Sequence, residues 1–182
     1  TAKAKEMKAK GEDVIFFSVG EPDFNTPEHI RDYSKKIIDE GKIVYTDTSG
    51  LPELKASICR KLLRDNNLSY ESYNIIVSSG AKHSLFNALQ AICNPGDEVI
   101  VPVPYWVSYP EMIKMADASP VFVETKEENG FKPSEECLES ALTGNTKAII
   151  LNSPNNPTGA VYDRKELQLI GGFAVKHDLY II

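Results

Sequence analysis

From residue 74 onward, short apolar runs alternate with amphipathic stretches, and this rhythm restricts the fold more than any other feature. Ile75-Ile76-Val77, Val99-Ile100-Val101, Val121-Phe122-Val123, Ala148-Ile149-Ile150-Leu151 and Leu179-Tyr180-Ile181-Ile182 are apolar throughout. Strands covered on both faces read this way, because neither face meets water. Between the runs, Leu85, Leu89 and Ile92 share one helical face, and another helix follows Tyr105-Trp106. Ser134-Glu135-Glu136 opens a third, and Asp163 and Glu166 stand at capping-box spacing for a fourth. The turn Asn94-Pro95-Gly96-Asp97 delivers the second strand. Repeated strand–helix–strand units predict an α/β fold: a mostly parallel sheet sandwiched by helices, with right-handed crossovers. A hydrophobic share of 42% is enough to fill such a core.

The residues before 74 read differently. A Lys/Ala-rich helical arm runs to Gly11, and Val14-Ile15-Phe16-Phe17 leads into Gly20-Glu21-Pro22-Asp23-Phe24. Thr26-Pro27-Glu28 predicts a helix start with a capping hydroxyl, a proline in the first turn and an acid at the positive end of the dipole. Ile30, Tyr33, Ile37 and Ile38 form its apolar face, and Gly41 is its stop. A further helix begins near Pro52, with Leu51, Leu54, Ile58 and Leu62 on one side. The chain opens on Thr1 and ends within an apolar run, so we expect a fragment of a longer polypeptide.

Charge and composition exclude several classes. Twenty basic against 26 acidic residues leave a formal charge of −6, and no Lys/Arg run offsets it, which argues against nucleic-acid binding. Cys59, Cys93 and Cys137, like His29, His83 and His177, are dispersed without metal-ligand spacing. Neither a zinc site nor a disulfide framework is indicated, which fits a reducing, cytoplasmic setting. No apolar run reaches membrane-spanning length, so no membrane association is expected.

Three strand-to-helix loops carry chemistry. In an open parallel sheet such loops lie at the carboxyl edge, where ligands bind. Ser78-Ser79-Gly80-Ala81-Lys82 puts small residues at a helix mouth, where free N–H groups and the macrodipole favour an anion such as phosphate. It has neither P-loop nor dinucleotide-fingerprint spacing. Pro102-Val103-Pro104-Tyr105-Trp106 holds the only tryptophan on a stiff loop, suited to stacking on a planar ligand. Asn152-Ser153-Pro154-Asn155-Asn156-Pro157-Thr158-Gly159 offers amides from a fixed backbone. Tyr45, beside Thr46-Asp47-Thr48-Ser49-Gly50, is a further phenol aimed at a ligand or anchoring its loop. An anion cradle, an aromatic plane and an amide describe a site for a phosphorylated planar aromatic molecule. Pyridoxal phosphate, flavin mononucleotide and an adenine nucleotide all meet that description.

The ordered motifs resemble those of the class I aminotransferases, pyridoxal-phosphate enzymes of fold type I, and most closely the bacterial aspartate aminotransferase subgroup. Gly20-Glu21-Pro22-Asp23-Phe24, Tyr45, Ser79-Gly80-Ala81-Lys82, Pro95-Gly96-Asp97-Glu98-Val99, Pro104-Tyr105-Trp106 and Asn156-Pro157-Thr158-Gly159 carry the likeness from end to end. The resemblance implies a homodimer with shared active sites, and amino-acid and 2-oxo-acid substrates, first of all aspartate and 2-oxoglutarate. It implies that Gly20 borders the substrate's α-carboxylate and that Tyr45 reaches the phosphate of the other subunit's cofactor. Gly80, Ala81 and Lys82 would hold the phosphate, Trp106 would stack on the pyridine ring and Asn156 would donate to its phenolic oxygen. Trp106 and Asn156 would also border the substrate. The Schiff-base lysine, the pyridine-nitrogen aspartate and the carboxylate-binding arginine would lie beyond Ile182, so no catalytic residue is assigned and the 182 residues alone are expected to be inactive. In domain terms, 1–26 would be the arm and a segment of the small domain, and 27–182 the first part of the large one. Non-catalytic effector-binding domains and elimination or synthase enzymes share this fold and are the alternatives.

Overall fold

The computed structural model describes residues 2–15, 20 and 22–182. Phe16 and Phe17 of the first apolar run, and Glu21 of the Gly-Glu-Pro motif, lie outside the described residues. The chain divides into two compact units, Thr1–Asp47 and Thr48–Ile182.

The first unit contains helices α1 (Ala2–Ala9) and α2 (Glu28–Asp39). Thr26 does not cap α2. The boundary residue is Pro27, at φ −50° and ψ 142°, and no side chain bonds the first turn. With the proline in extended backbone, the hydroxyl sits one residue too early to reach the orphan N–H groups. The other end follows expectation: Gly41, at φ 65°, donates to the Ile38 carbonyl, and the Lys42 N–H reaches that of Ile37. Ile30, Tyr33 and Ile38 stay exposed, so the apolar stripe of α2 is open.

The second unit is the α/β body. Its elements are α3 (Pro52–Asn66), a 3₁₀ turn (Ser72–Asn74), α4 (Ala81–Ile92), β1 (Glu98–Val103), α5 (Ser108–Met115) and β2 (Ser119–Glu124). A second 3₁₀ turn (Glu127–Asn129), α6 (Glu135–Ala141), β3 (Thr146–Ile149), α7 (Arg164–Lys176) and β4 (Tyr180–Ile181) complete it. The strands run in the order β2-β1-β3-β4 and every pairing is parallel.

Period-two alternation sends successive side chains to opposite faces. Val99 and Val101 of β1, with Ala148 and Ile150, pack on Leu89 of α4 and Ile113 of α5. Ile100 and Ile149 point the other way, onto Leu138 of α6 and onto Ile170 and Phe173 of α7. Leu89, Ile100, Ile113, Leu138 and Ile149 have no exposed surface. Each such side chain contributes about 1.5–3 kcal/mol of burial free energy, so the two cores are the main source of order here. The Asp163/Glu166 box forms as its spacing predicts, and Ser134 caps α6 through the Cys137 N–H.

One expected strand does not join the sheet. Residues 75–77 have no ladder partner among the described residues; apart from the local bond of the Ile75 N–H to the Ser72 carbonyl, their tie is a bond from the Val77 N–H to the Ser49 carbonyl at 3.0 Å. An apolar run becomes a strand only where a neighbour completes its hydrogen bonds. Gly50 permits the close approach: at φ 104°, an added Cβ would stand 2.6 Å from Val77 Cγ2.

The topology then locates a crevice. From β1 the chain turns outward to β2, whereas from β3 it proceeds to β4 on the opposite side. Adjacent strands whose connections diverge define a topological switch point, and ligands of open α/β sheets bind at its carboxyl end. The loops that leave β1 and β3 there are 104–107 and 150–163.

Candidate ligand site at the sheet switch point

Three chain segments meet at this edge. The first is the mouth of α4. Gly80 is its boundary residue at φ 88°, backbone that glycine adopts without a steric penalty. The Gly80 N–H donates to the Ser78 carbonyl at 2.9 Å, and the Ser79 N–H donates to His83 Nδ1 at 3.1 Å. The N–H groups of Ala81 and Lys82 have no acceptor among the described residues, and both residues are exposed. A 12-residue helix therefore presents unpaired donors and the positive end of its dipole to solvent.

The loop after β1 is the second segment. Trp106 is half-buried against the α4/α5 core and meets Tyr109 edge-on, at 5.5 Å between centroids and 84° between planes. Tyr105 stacks on Phe122 at 5.1 Å. These contacts fix the loop from both sides. Lys82 Nζ lies 4.9 Å from the centre of the Trp106 ring, so the structure brings the helix mouth and the indole together.

The asparagine loop after β3 is the third. Asn155 is its clamp: its amide donates to the Pro104 carbonyl at 3.0 Å and to Thr158 Oγ1 at 2.9 Å. The Asn156 N–H donates to Asn152 Oδ1 at 3.0 Å, while the Asn156 side chain is exposed and has no partner among the described residues. Adjacent asparagines thus divide the work, one tying two loops together and the other presenting an amide. Beneath them is a cavity of about 10 Å³, lined by Asn152, Asn155, Tyr109, Phe131 and Tyr162 among others; it has room for about one water and not for an organic ligand. Burial, then the nearby Glu166 carboxylate, pushes the Tyr162 phenol up from its ordinary range, and burial does the same to Tyr109.

Gly20 and Tyr45 belong to the other unit. Gly20 is exposed and Tyr45 fully so. Sequence reasoning missed the clamp role of Asn155, the backbone bond to His83 and the ion pair between Lys132 and Glu166 at 2.8 Å. A histidine four residues after Ser79 was a readable capping signal. Nothing in the spacing marked the other two, because their partners lie 51 and 34 residues away. Among the described residues, no group of three His, Cys, Asp or Glu is placed to hold a metal, and no helix is long and apolar enough to cross a membrane.

A parallel sheet covered by helices, with unpaired N–H donors, an indole and an unpartnered amide at its switch point, defines an α/β domain with a candidate ligand site there. The family model described as aminotransferase class I and II matches residues 12–182, and the chain belongs to that family. Over all 182 residues the chain is 53% identical to an aspartate aminotransferase of Bacillus subtilis, of which it covers 46%. It is 50% identical to an asparagine–oxo-acid transaminase of Streptococcus mutans, again over its whole length and 47% of that protein. The structure of the Thermus thermophilus aspartate aminotransferase with maleate superimposes with a TM-score of 0.92 at 47% identity, over 99% of this chain and 47% of that one. The chain spans about half the length of the curated relatives it matches.

Proposed function

We propose that this chain is the cofactor-holding part of a pyridoxal-phosphate-dependent aminotransferase. Its substrates would be an amino acid, first of all aspartate, and a 2-oxo acid, first of all 2-oxoglutarate. The observation that carries this reading is the meeting of the α4 mouth, the Trp106 loop and the asparagine loop at one sheet edge, documented by the Lys82–Trp106 and Asn155–Pro104 contacts. Membership of the family and the names of the relatives supply the reaction class.

The residues fit the cofactor on their own chemistry. A phosphate needs unpaired donors, and the Ala81 and Lys82 N–H groups are unpaired. A pyridine ring needs a flat, immobile partner, and Tyr109 immobilises the Trp106 indole. A phenolic oxygen needs a donor not already spent, which Asn156 is and Asn155 is not. When bound, pyridoxal phosphate supplies an electron sink for the carbanion left by removal of an amino acid's α-proton. This chain's part is to bind and orient. The Ala81 and Lys82 N–H groups would hold the phosphate, with Gly80, whose own N–H is taken by the Ser78 carbonyl, shaping the turn; Trp106 would fix the ring plane, and the Asn156 amide would donate to the phenolic oxygen and tune its acidity. Trp106 and Asn156 also border the substrate.

Gly20 would border the substrate's α-carboxylate, and Tyr45 would reach the cofactor phosphate of a second copy in a homodimer. In the complete protein, residues 1–26 would be an arm and a segment of the small domain, with 27–182 opening the large one. A cytoplasmic setting agrees with the dispersed cysteines. No proton-transfer residue is assigned among these 182.

The test is transamination by the complete protein. Aspartate and 2-oxoglutarate, with oxaloacetate coupled to NADH oxidation, should give turnover that depends on added cofactor. No turnover with aspartate, asparagine or aromatic amino acids, despite bound cofactor, would sink the reading in favour of a non-catalytic effector domain.

A further inference from the structure

The turn before α6 and the first turn of α7 are joined by an ion pair that none of the assignments above uses. Lys132 Nζ lies 2.8 Å from both Glu166 carboxylate oxygens, and the two side chains are only 22% and 33% exposed. Glu166 is doubly engaged. Its Oε2 accepts from the Asp163 N–H at 2.6 Å, while its own N–H donates to Asp163 Oδ1 at 2.9 Å. A lysine 34 residues before Glu166 is thereby fastened to the cap that starts α7.

The cap continues into the site. Tyr162 precedes Asp163, is buried, and has Lys132 Nζ 6.0 Å from its ring centre. The Tyr162 N–H donates to Ser153 Oγ at 3.2 Å. From there the asparagine loop closes on itself, with the Asn155 N–H on the Ala160 carbonyl at 2.8 Å and the Gly159 N–H on the Asn155 carbonyl at 2.7 Å. Phe131, next to Lys132, has left-handed backbone at φ 57° and lines the cavity with Asn152, Asn155 and Tyr162. Non-glycine residues hold that conformation only where their surroundings impose it. The asparagine loop is therefore held at two ends: Asn155 ties it to the Trp106 loop, and Lys132–Glu166 ties its far end through Tyr162 and Ser153.

We infer that Lys132 and Glu166 are positioning residues, holding the asparagine loop so that the Asn156 amide stands at a fixed place beside Trp106. The inference rests on the function proposed above. Neither residue is among those assigned above to the cofactor or the substrate. Their effect passes through a chain of packed and hydrogen-bonded groups with one rigid element, α7, at its root.

The experiment uses the full-length protein with Lys132→Met, Lys132→Arg and Glu166→Gln. Methionine keeps the apolar stem against Tyr162 and removes the charge. Two readouts are taken: hydrogen exchange of the Gly159, Ala160 and Tyr162 amides without cofactor, and, with pyridoxal phosphate, its dissociation constant and the pH midpoint of its visible absorbance. Lys132→Met and Glu166→Gln should speed exchange at those amides by about threefold to fivefold, the scale of a partly exposed ion pair, and leave α4 and α5 unchanged. Cofactor binding should weaken by a similar factor and the absorbance midpoint should move, while Lys132→Arg restores both. Faster exchange with unchanged cofactor readouts would reduce the pair to a stabiliser of α7 and overturn the inference, as would unchanged exchange. Wild-type protein that takes up no cofactor refutes the proposed function itself, and the inference falls with it.

Discussion

Replacing Asn155 by alanine and, separately, Asn156 by alanine should separate architecture from ligand binding within one dipeptide. The Asn155 amide makes two bonds of 3.0 and 2.9 Å in a half-buried position, and its loss leaves the Pro104 carbonyl without its partner. Each bond is worth about 1 kcal/mol net, and a partly buried orphan acceptor adds to that, so the cost is about 2 kcal/mol. For a domain of 150–250 residues this corresponds to a fall in Tm of about 4–8 °C. Asn156 has an exposed side chain without a protein partner, so its replacement should change stability by less than about 0.5 kcal/mol. Thermal unfolding of the full-length variants without cofactor measures both, and titration with pyridoxal phosphate follows. Asn156→Ala should keep the wild-type Tm yet alter the cofactor's absorbance spectrum. If Asn156→Ala proves the more destabilising of the two, the division of labour between these residues is wrong.

Other consequences follow from the same geometry. Ile113→Ala or Leu138→Ala, each emptying a fully buried position on one face of the sheet, should cost about 2–5 kcal/mol in chemical denaturation. Asp163→Ala removes the bond to the Glu166 N–H and should cost about 1 kcal/mol, visible as faster exchange in the first turn of α7. Thiol titration should label exposed Cys137 well before half-buried Cys93, whose pKa burial raises first and the Asp97 carboxylate second. Hydrogen bonds from Lys176 and then His177 hold the Glu139 carboxyl below its ordinary range, and the Glu139 bond raises Lys176. A lowered acid stabilises the fold above its unfolded pKa and loses that contribution as pH falls through the folded one; a raised lysine loses its contribution as pH rises through its folded pKa. Stability from this contact should therefore be greatest between the carboxylate and lysine ranges, and Glu139→Gln should flatten the acid limb of the pH–stability curve.

The parallel sheet was legible because its strands are apolar on both faces, and Ile100 and Val101 do point into different cores. The segment 75–77 has the same composition, yet it forms no ladder among the described residues and leaves Ile76 70% exposed, because a hydrophobic run does not state what it will pair with. Pro27 shows a local version of the same limit. Thr26 has the right chemistry for a cap, but ψ of the next residue decides whether its hydroxyl can reach the helix. At the site, glycine at a helix mouth and a tryptophan on a proline-stiffened loop are signals that local chemistry writes into the sequence. The Asn155–Pro104 and Lys132–Glu166 contacts are not, since each joins residues that only the folded crossover brings together.

The central claim is most directly tested by a crystal structure of the complete protein grown with pyridoxal phosphate. The account predicts the phosphate on the Ala81 and Lys82 N–H groups, the ring against Trp106 and the Asn156 amide on its phenolic oxygen. Density for the cofactor at any other edge of the sheet, or an Asn156 side chain turned away from it, would contradict the account.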